Sequence, residues 1–361
     1  MRITKATKRY ENWLRTHTPL VEEDLALKHQ HMAQDLFSFL RATFYRWMQL
    51  WPDVCVSLAE APSVLAVGDL HVENFGTWRD LEGRLIWGIN DFDEAFPMPY
   101  TVDLVRLATS AHLAIAADHL RIEPEDACDA TLEGYVAGLK QGGAPFVLAE
   151  DHVWLRELAL GRLRDPVQFW REKLEKLPSI VHPIPVSARE ALEHLLPDRG
   201  LAYRVVHRVA GLGSLGRQRY VALADWYGGR VAREAKALVP SAALWARDSG
   251  GPSEILYQTI ISRAARCRDP FVQVRGHWIV RRLAPDCSRI PLTDLPREKD
   301  ETRLLQAMGR ETANVHLGSE NVREVLRHLN KLPRRWLHAA SKAMVRVMTA
   351  DWEDWKRTFQ L

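Results

Sequence analysis

Cysteine is scarce in this chain: four residues of 361, Cys55, Cys128, Cys267 and Cys287, with no pair at CxxC spacing and no histidine at metal-ligand spacing from any of them. A disulfide-stapled scaffold and a sequence-encoded zinc module are thereby excluded, and the thiols read as reduced, cytosolic ones. Long apolar runs are missing too. None approaches the about 18 residues that span a bilayer, and "MRITKATKRYENWLRTH" at the start holds no apolar core of signal-peptide length. The expectation is a cytoplasmic protein with no membrane partner. Charge of one sign is also lacking, since the net charge is +3 with acids and bases interspersed. Bulk electrostatics therefore give no reason to expect nucleic acid. The local clusters Arg263, Arg266 and Arg268, and Arg334 and Arg335, read as solvated helix faces. There is no internal repeat and no low-complexity tract.

What is present is ordinary globular composition, 47% apolar and 26% charged, in a chain long enough for two or three domains or one two-lobed enzyme. Residues 10 to 50 carry Leu27, Met32, Leu36, Phe37, Leu40 and Phe44 at helical spacing. A strand at Val64 to Val67 leads into a polar loop with a turn at Glu82-Gly83, and a second strand (Leu85 to Ile89) leads into another polar loop. Asp103 is positioned to N-cap the helix that follows. Residues 124 to 197 read as helical, broken at Gly142-Gly143, Pro166, Pro183 and Pro185. The pattern changes at about 200: β-branched runs separated by glycines continue to about 285, with one helix at about 252 to 266. From 296 onward Leu304, Leu305, Met308, Thr312 and Val315 again share a helical face. The thirteen tryptophans are expected in cores and contacts between lobes.

Three motifs carry chemistry. In "GDLHVENFG" an aspartate (Asp69) and an asparagine five positions on (Asn74) follow a strand. Phosphoryl-transfer enzymes use that pattern: the Asp accepts the acceptor hydroxyl's proton and the Asn binds a metal. His71 between them can hydrogen-bond the loop or touch phosphate. The alternative is two side chains satisfying turn backbone. In "NDFDEA", Asp91 follows the next strand and supplies the second carboxylate that Mg²⁺ needs across phosphates, with Asp93 a further ligand or a loop cap. The third motif is "GLGSLG", with Gly211, Gly213, Ser214 and Gly216. A strand follows it instead of a helix, which suits a loop that covers ATP phosphates with backbone amides better than a dinucleotide site. Lys236 on the next strand is placed to reach those phosphates, and Glu254, opening the following helix, to hold that lysine as an ion pair. The plain alternatives are a surface lysine and a helix-start glutamate. His316 reads as a cation at a helix C-terminus.

"GDLHVENFG", "NDFDEAFPMPYTVDLVRLATS", "GLGSLGRQRYVAL" and "EAKAL", with "KHQHMAQDLFSFLRATF" upstream and "RETANVHLGS" downstream, resemble the bacterial family catalogued as domain of unknown function 2252. That family is similar to the protein-kinase-like superfamily, nearest to aminoglycoside phosphotransferases and choline kinases. Those enzymes have a GDxHxxN catalytic loop, an IDF or IDW metal loop and a DLA-type helix start. Asp69, His71 and Asn74 fall on the first pattern, Asp91 on the second and Asp103 on the third. The resemblance implies an α+β, two-lobed kinase-like fold, ATP and Mg²⁺ as cofactors, and a phosphotransferase acting on a small-molecule or protein hydroxyl or amine.

The order of parts departs from a kinase. Here the catalytic and metal loops precede the glycine loop and lysine, and "ETRLLQAMGRETANVHL" resembles the helix that normally leads into the catalytic loop. The chain thus reads as a circular permutation. Its expected parts are a helical catalytic lobe at 1–198, a small antiparallel β lobe at 199–287 with "HWIVRRLAPD" as its last strand and hinge, and C-terminal helices at 288–361 returning to the catalytic lobe. Two other readings compete. A non-catalytic nucleotide-binding regulator would be expected to lose the base or a metal ligand. A metallophosphoesterase would use Asp69 and His71 as a metal pair, but needs GNH- or GHxH-like loops that the sequence lacks.

Overall fold

The computed structural model describes residues 1–148, 151–159, 165–247, 253–287, 289–290, 292 and 300–359. The described strands pair antiparallel throughout, in three separate sheets, and about half of the chain is helical, so the fold is α+β.

The N-terminal helical region is four helices and a short turn: α1 (Ile3–Arg15), α2 (Glu22–Gln34), α3 (Leu36–Ala42), α4 (Phe44–Val54) and α5 (Val56–Ala59). Asp35 breaks the run because it takes an extended conformation and its carboxylate accepts from Ser38 N at 2.7 Å, capping α3. Next come β1 (Ser63–Ala66), β2 (Phe75–Arg79), β3 (Leu85–Ile89) and β4 (Phe96–Pro99). The expectation of one polar loop between β1 and β3 is corrected here: "FGTWR" is a buried strand that pairs with β3 around the Glu82-Gly83 turn, while β1 pairs with β4. The sequence hid β2 because both its faces are covered, so it does not alternate.

Helices α6 (Tyr100–Ala116) and α7 (Pro124–Gln141) follow, then β5 (Phe146–Val147) on the edge of β3, α8 (Val153–Ala159), α9 (Pro166–Trp170) with a π-helical turn at Arg171–Glu175, and α10 (Val186–Leu195). Proline opens α7 and α9 where its missing N–H costs nothing. The five-stranded sheet is built from β6 (Arg204–His207), β7 (Arg219–Trp226), β8 (Gly229–Ala237), β9 (Gln273–Arg275) and β10 (Trp278–Leu283), in the order β6-β7-β8-β10-β9. Helices α11 (Ala242–Ala246) and α12 (Tyr257–Arg263) lie between β8 and β9. The helix expected from 252 is therefore shorter; position 252, like positions 296–299 before the last helical region, lies outside the described residues. The chain ends with α13 (Glu301–His316), α14 (Val322–Leu329) and α15 (Trp336–Phe359).

Strand alternation sorts the five-stranded sheet into two chemistries. Tyr220, Ala222, Ala235, Ala237, Trp278 and Val280 form one face, against Ala188, Ala191 and Leu192 of α10. Arg219, Glu234, Lys236 and Arg281 alternate with them, and those polar groups are drawn to the opposite side. Elsewhere α7 and α13 pack backbone to backbone, since Gly134 and Gly309 leave no room for even a methyl group against Gln306 and Thr131 of the facing helix. Among the described residues no helix is long and apolar enough to cross a membrane.

Candidate active site

The β2–β3 hairpin puts the two acidic loops side by side. Asn74 precedes β2, Asn90 follows β3, and Asn90 N donates to Asn74 O at 3.0 Å. The loop after β1 is fixed from behind by Asp103, which accepts from Val67 N at 2.7 Å, Gly68 N at 2.8 Å and His316 Nε2 at 2.9 Å. One expectation is corrected here: Asp103 lies inside the first turn of α6, with no side-chain role as its cap. His316 stands at the C-terminal end of α13, as expected, and is fully buried against the Asp103 carboxylate. Gly68 has φ +89°, and a Cβ there would be driven into the Glu94 carbonyl. Gly68→Ala should therefore lower stability by about 2 kcal/mol or more, read as a lower urea midpoint; an unchanged midpoint would mean the loop can relax away from Glu94.

Asp69 is gripped by a residue that the sequence reading missed. Arg106 on α6, fully buried, donates through Nε at 2.9 Å and through Nη2 to Asp69 Oδ1, and through Nη2 to Leu40 O at 2.8 Å. Its guanidinium lies 5.0 Å from the ring centres of both Phe44 and Trp47. The signal was a lone charge in "LVRLATSAHLAIAA". Burial raises the Asp69 carboxyl above its ordinary value, with Arg106 and Arg41 pulling the other way. Asn74 Nδ2 donates to Asp69 O at 3.0 Å. His71 is buried beside them and its Nδ1 accepts from Glu73 N at 3.2 Å; burial and the charges of Arg41, Arg289 and Arg106 hold it well below the usual histidine range, so it is neutral.

The glycine loop lies over this floor. The built Cβ of Gly213 would stand 3.1 Å from Arg41 O and 3.3 Å from Asp69 Oδ2, so bare backbone is what fits there. Lys28 of α2 donates to Gly213 O at 2.9 Å; burial, reinforced by Arg217, lowers its pKa to about 8. Gly211 has φ +73°, and Ser214 Oγ accepts from Arg219 at 2.8 Å. Gly216 serves a different purpose: with φ +93° it packs against Leu25, and its carbonyl accepts from Val21 N at 2.8 Å.

Lys236 is buried on the sheet face toward the loops, 2.7 Å from Asp93 Oδ2 and 3.4 Å from Asp91 Oδ1. Burial pushes against ionisation of Asp91, but Lys236, the hydrogen bond with Asp93 and two arginines outweigh it and hold Asp91 below the carboxylate range. Burial and the Asp91 charge raise Asp93. The expected partner Glu254 is corrected: it is exposed, and lies three positions before α12 begins. The buried glutamate of this sheet is Glu234, which pairs with Arg208 at 2.6 Å, Arg219 at 3.1 Å and Arg281 at 2.7 Å.

These groups border one cavity of about 280 Å³, lined by Asp69, His71, Asn74, Asp91, Asp93, Gly211, Gly213 and Ser214 among others. Eleven lysine and arginine side chains and five carboxylates line it, and five of the arginines are paired with Glu73 or Glu234. Arg266 belongs to this lining, which corrects its reading as part of a solvated face: it stacks on Trp78 and Phe92 and donates to Ile89 O, while Arg263 and Arg268 stay exposed. Asp91, Asp93 and the Asn74 amide are hard oxygen donors, and Asp93 Oδ1 is buried with no hydrogen-bond partner. A buried carboxylate oxygen without a partner, in a cavity that two further oxygen-bearing side chains also line, fits a Mg²⁺-like cation.

Residues 20–157, which include both acidic loops and α6, match the model of a family described as "Uncharacterized protein conserved in bacteria (DUF2252)". No curated protein and no solved structure matches the chain.

Proposed function

We propose that the protein is an ATP- and Mg²⁺-dependent phosphotransferase with a circularly permuted, two-lobed kinase-like fold. The observation that carries this reading is the meeting of Gly213 and Asp69 Oδ2 across a cavity that also collects Asn74, Asp91 and Asp93. Support for the permutation comes from the end of α13: His316 bonds the same Asp103 that holds the backbone of Val67 and Gly68. The helix that would lead into the catalytic loop thus adjoins it in space, though it follows that loop by more than 200 residues in sequence.

In this reading the backbone of the glycine loop and the arginines of the cavity bind the phosphates. Asn74, Asp91 and Asp93 would hold Mg²⁺, which would supply charge neutralisation for the phosphates. Asp69 accepts the proton of the acceptor hydroxyl or amine through Oδ2, while Arg106 fixes Oδ1 and sets the carboxylate's orientation. The cavity's positive lining stabilises the charge on the transferred group.

The test is nucleotide-induced thermal shift with and without Mg²⁺, followed by ATP-consumption screening against hydroxyl and amine metabolites. Asp91→Asn should weaken Mg²⁺-dependent ATP binding by at least tenfold, because the cation loses a full charge from its shell. Equal shifts for the two proteins would remove Asp91 from the metal site. A second reading, a nucleotide-binding regulator without turnover, is favoured by the Arg106 grip on Asp69, since a carboxylate tied to a buried guanidinium is also what a structural ion pair looks like.

A further inference from the structure

We infer that His112, Cys128 and His338 form a binding site for a borderline-soft divalent cation such as Zn²⁺, separate from the acidic cavity. The three residues come from three helices, α6, α7 and α15, and were unrelated by spacing in the sequence. Folding gathers them so that their ligand atoms all lie within 4.8 Å of one another. His112 Nε2 stands 3.3 Å from Cys128 Sγ, close to the about 3.5 Å edge between a nitrogen and a sulfur on a tetrahedral zinc, taken from the two bond lengths. His338 Nδ1 is buried and has no hydrogen-bond partner, and its ring centre is 5.3 Å from that of His112. An imidazole nitrogen left unsatisfied beside a second imidazole and a thiol is what a metal ligand looks like before the metal arrives.

The surroundings suit a site with three protein ligands and one open position. Cys128 is buried. The Pro124 backbone hydrogen-bonds the His112 ring, a contact of the kind that orients a ligating imidazole and raises its basicity. The set of two nitrogens and one sulfur favours zinc over Mg²⁺, whose oxygen donors are all in the other cavity. Binding converts the Cys128 thiol to a metal thiolate and releases its proton to solvent; no oxidation is involved. The cation would clamp α6 to α7 and α15 at the end of α6 remote from Asp103 and Arg106, which hold the catalytic loop.

Cobalt(II) added to the metal-free full chain is the direct probe, because a cobalt–thiolate bond gives a near-ultraviolet charge-transfer band that an all-oxygen site cannot give. We expect one equivalent to produce that band together with intense visible bands of low coordination, zinc to displace it, and zinc to raise the melting temperature by several degrees. Cys128→Ser should abolish the thiolate band. His338→Gln, at a half-buried position, should weaken cobalt binding at least tenfold with Cys128 intact. Circular dichroism identifies any variant that fails to fold. No thiolate band in the wild-type protein, or a band that survives in Cys128→Ser or is undiminished in folded His338→Gln, overturns the site. Mg²⁺ and ATP play no part in this readout, so it stands or falls separately from the phosphotransferase reading.

Discussion

Asp69→Asn should leave Mg²⁺–ATP binding within a few-fold of the wild type and lower turnover by about 10²–10⁴, the range a positioned general base contributes. The substitution is nearly isosteric. Its amide can still stand between Arg106 and Gly213, but it has no basic oxygen to accept the acceptor's proton. The measurement pairs a nucleotide titration with single-turnover transfer to whichever acceptor the screen identifies. Arg106→Lys sharpens the reading: it keeps the charge but loses the two-point grip on Oδ1, so it should lower turnover with little change in nucleotide affinity. If Asp69→Asn turns over normally, Asp69 is a turn residue and the regulator reading gains. If neither the wild type nor the variant consumes ATP while both bind it, the Arg106 grip describes a site built for binding alone.

Glu234→Gln should lower stability by about 3 kcal/mol or more. Glu234 is fully buried on β8 and faces three guanidinium groups: Arg281 opposite it on β10, Arg219 on β7, and Arg208 just beyond β6. The three arginines together hold its carboxyl well below the usual range in spite of burial. Removing the charge leaves them to repel one another at the edge of the cavity. Because Arg219 also donates to Ser214 Oγ, the loss should extend to the glycine loop and weaken nucleotide binding. Denaturant unfolding and a nucleotide titration measure the two effects separately. An unchanged unfolding midpoint would mean that the arginines find other partners without rearranging the sheet.

The sequence made the acidic loops and the glycine loop legible because each is a local run of residues whose chemistry is uncommon in a plain turn. It also made the α+β character legible, through helical spacing before about 200 and β-branched runs after it. What it could not disclose are partners set by long-range closure. Lys236 was expected to pair with Glu254 by analogy of order, yet strand alternation aims it at Asp91 and Asp93, and Glu254 stays exposed. Glu234, two residues earlier on the same strand face, was overlooked because its three arginines come from three different segments. Asp103 looked like a cap because it begins an apolar helical stretch; the structure opens that helix three residues earlier, at Tyr100, and leaves Asp103 free to serve the Val67 and Gly68 amides. Arg106 lay in plain view as a lone charge, but an arginine in a helix says nothing of what it grips until α3, α4 and the loop after β1 surround it.

Closure between distant parts of the chain also dictates what a ribosome must deliver before this protein can finish folding. His316 and Asp103 are 213 positions apart, and Glu311 of α13 supplies the carboxylate that accepts from Ile89 N where the acidic loop after β3 begins. Asn314, also on α13, donates to and accepts from Ala144. A nascent chain synthesised only as far as β10 therefore holds both acidic loops before the helix that backs them has been made. For the tens of seconds that synthesis takes at about 5–20 residues per second, the polar backbone of Val67 and Gly68 and the apolar surface that α7 will bury against α13 stand open to water and to chaperones. Assembly of the cavity waits until α13 has been made, after all the described strands of the three sheets.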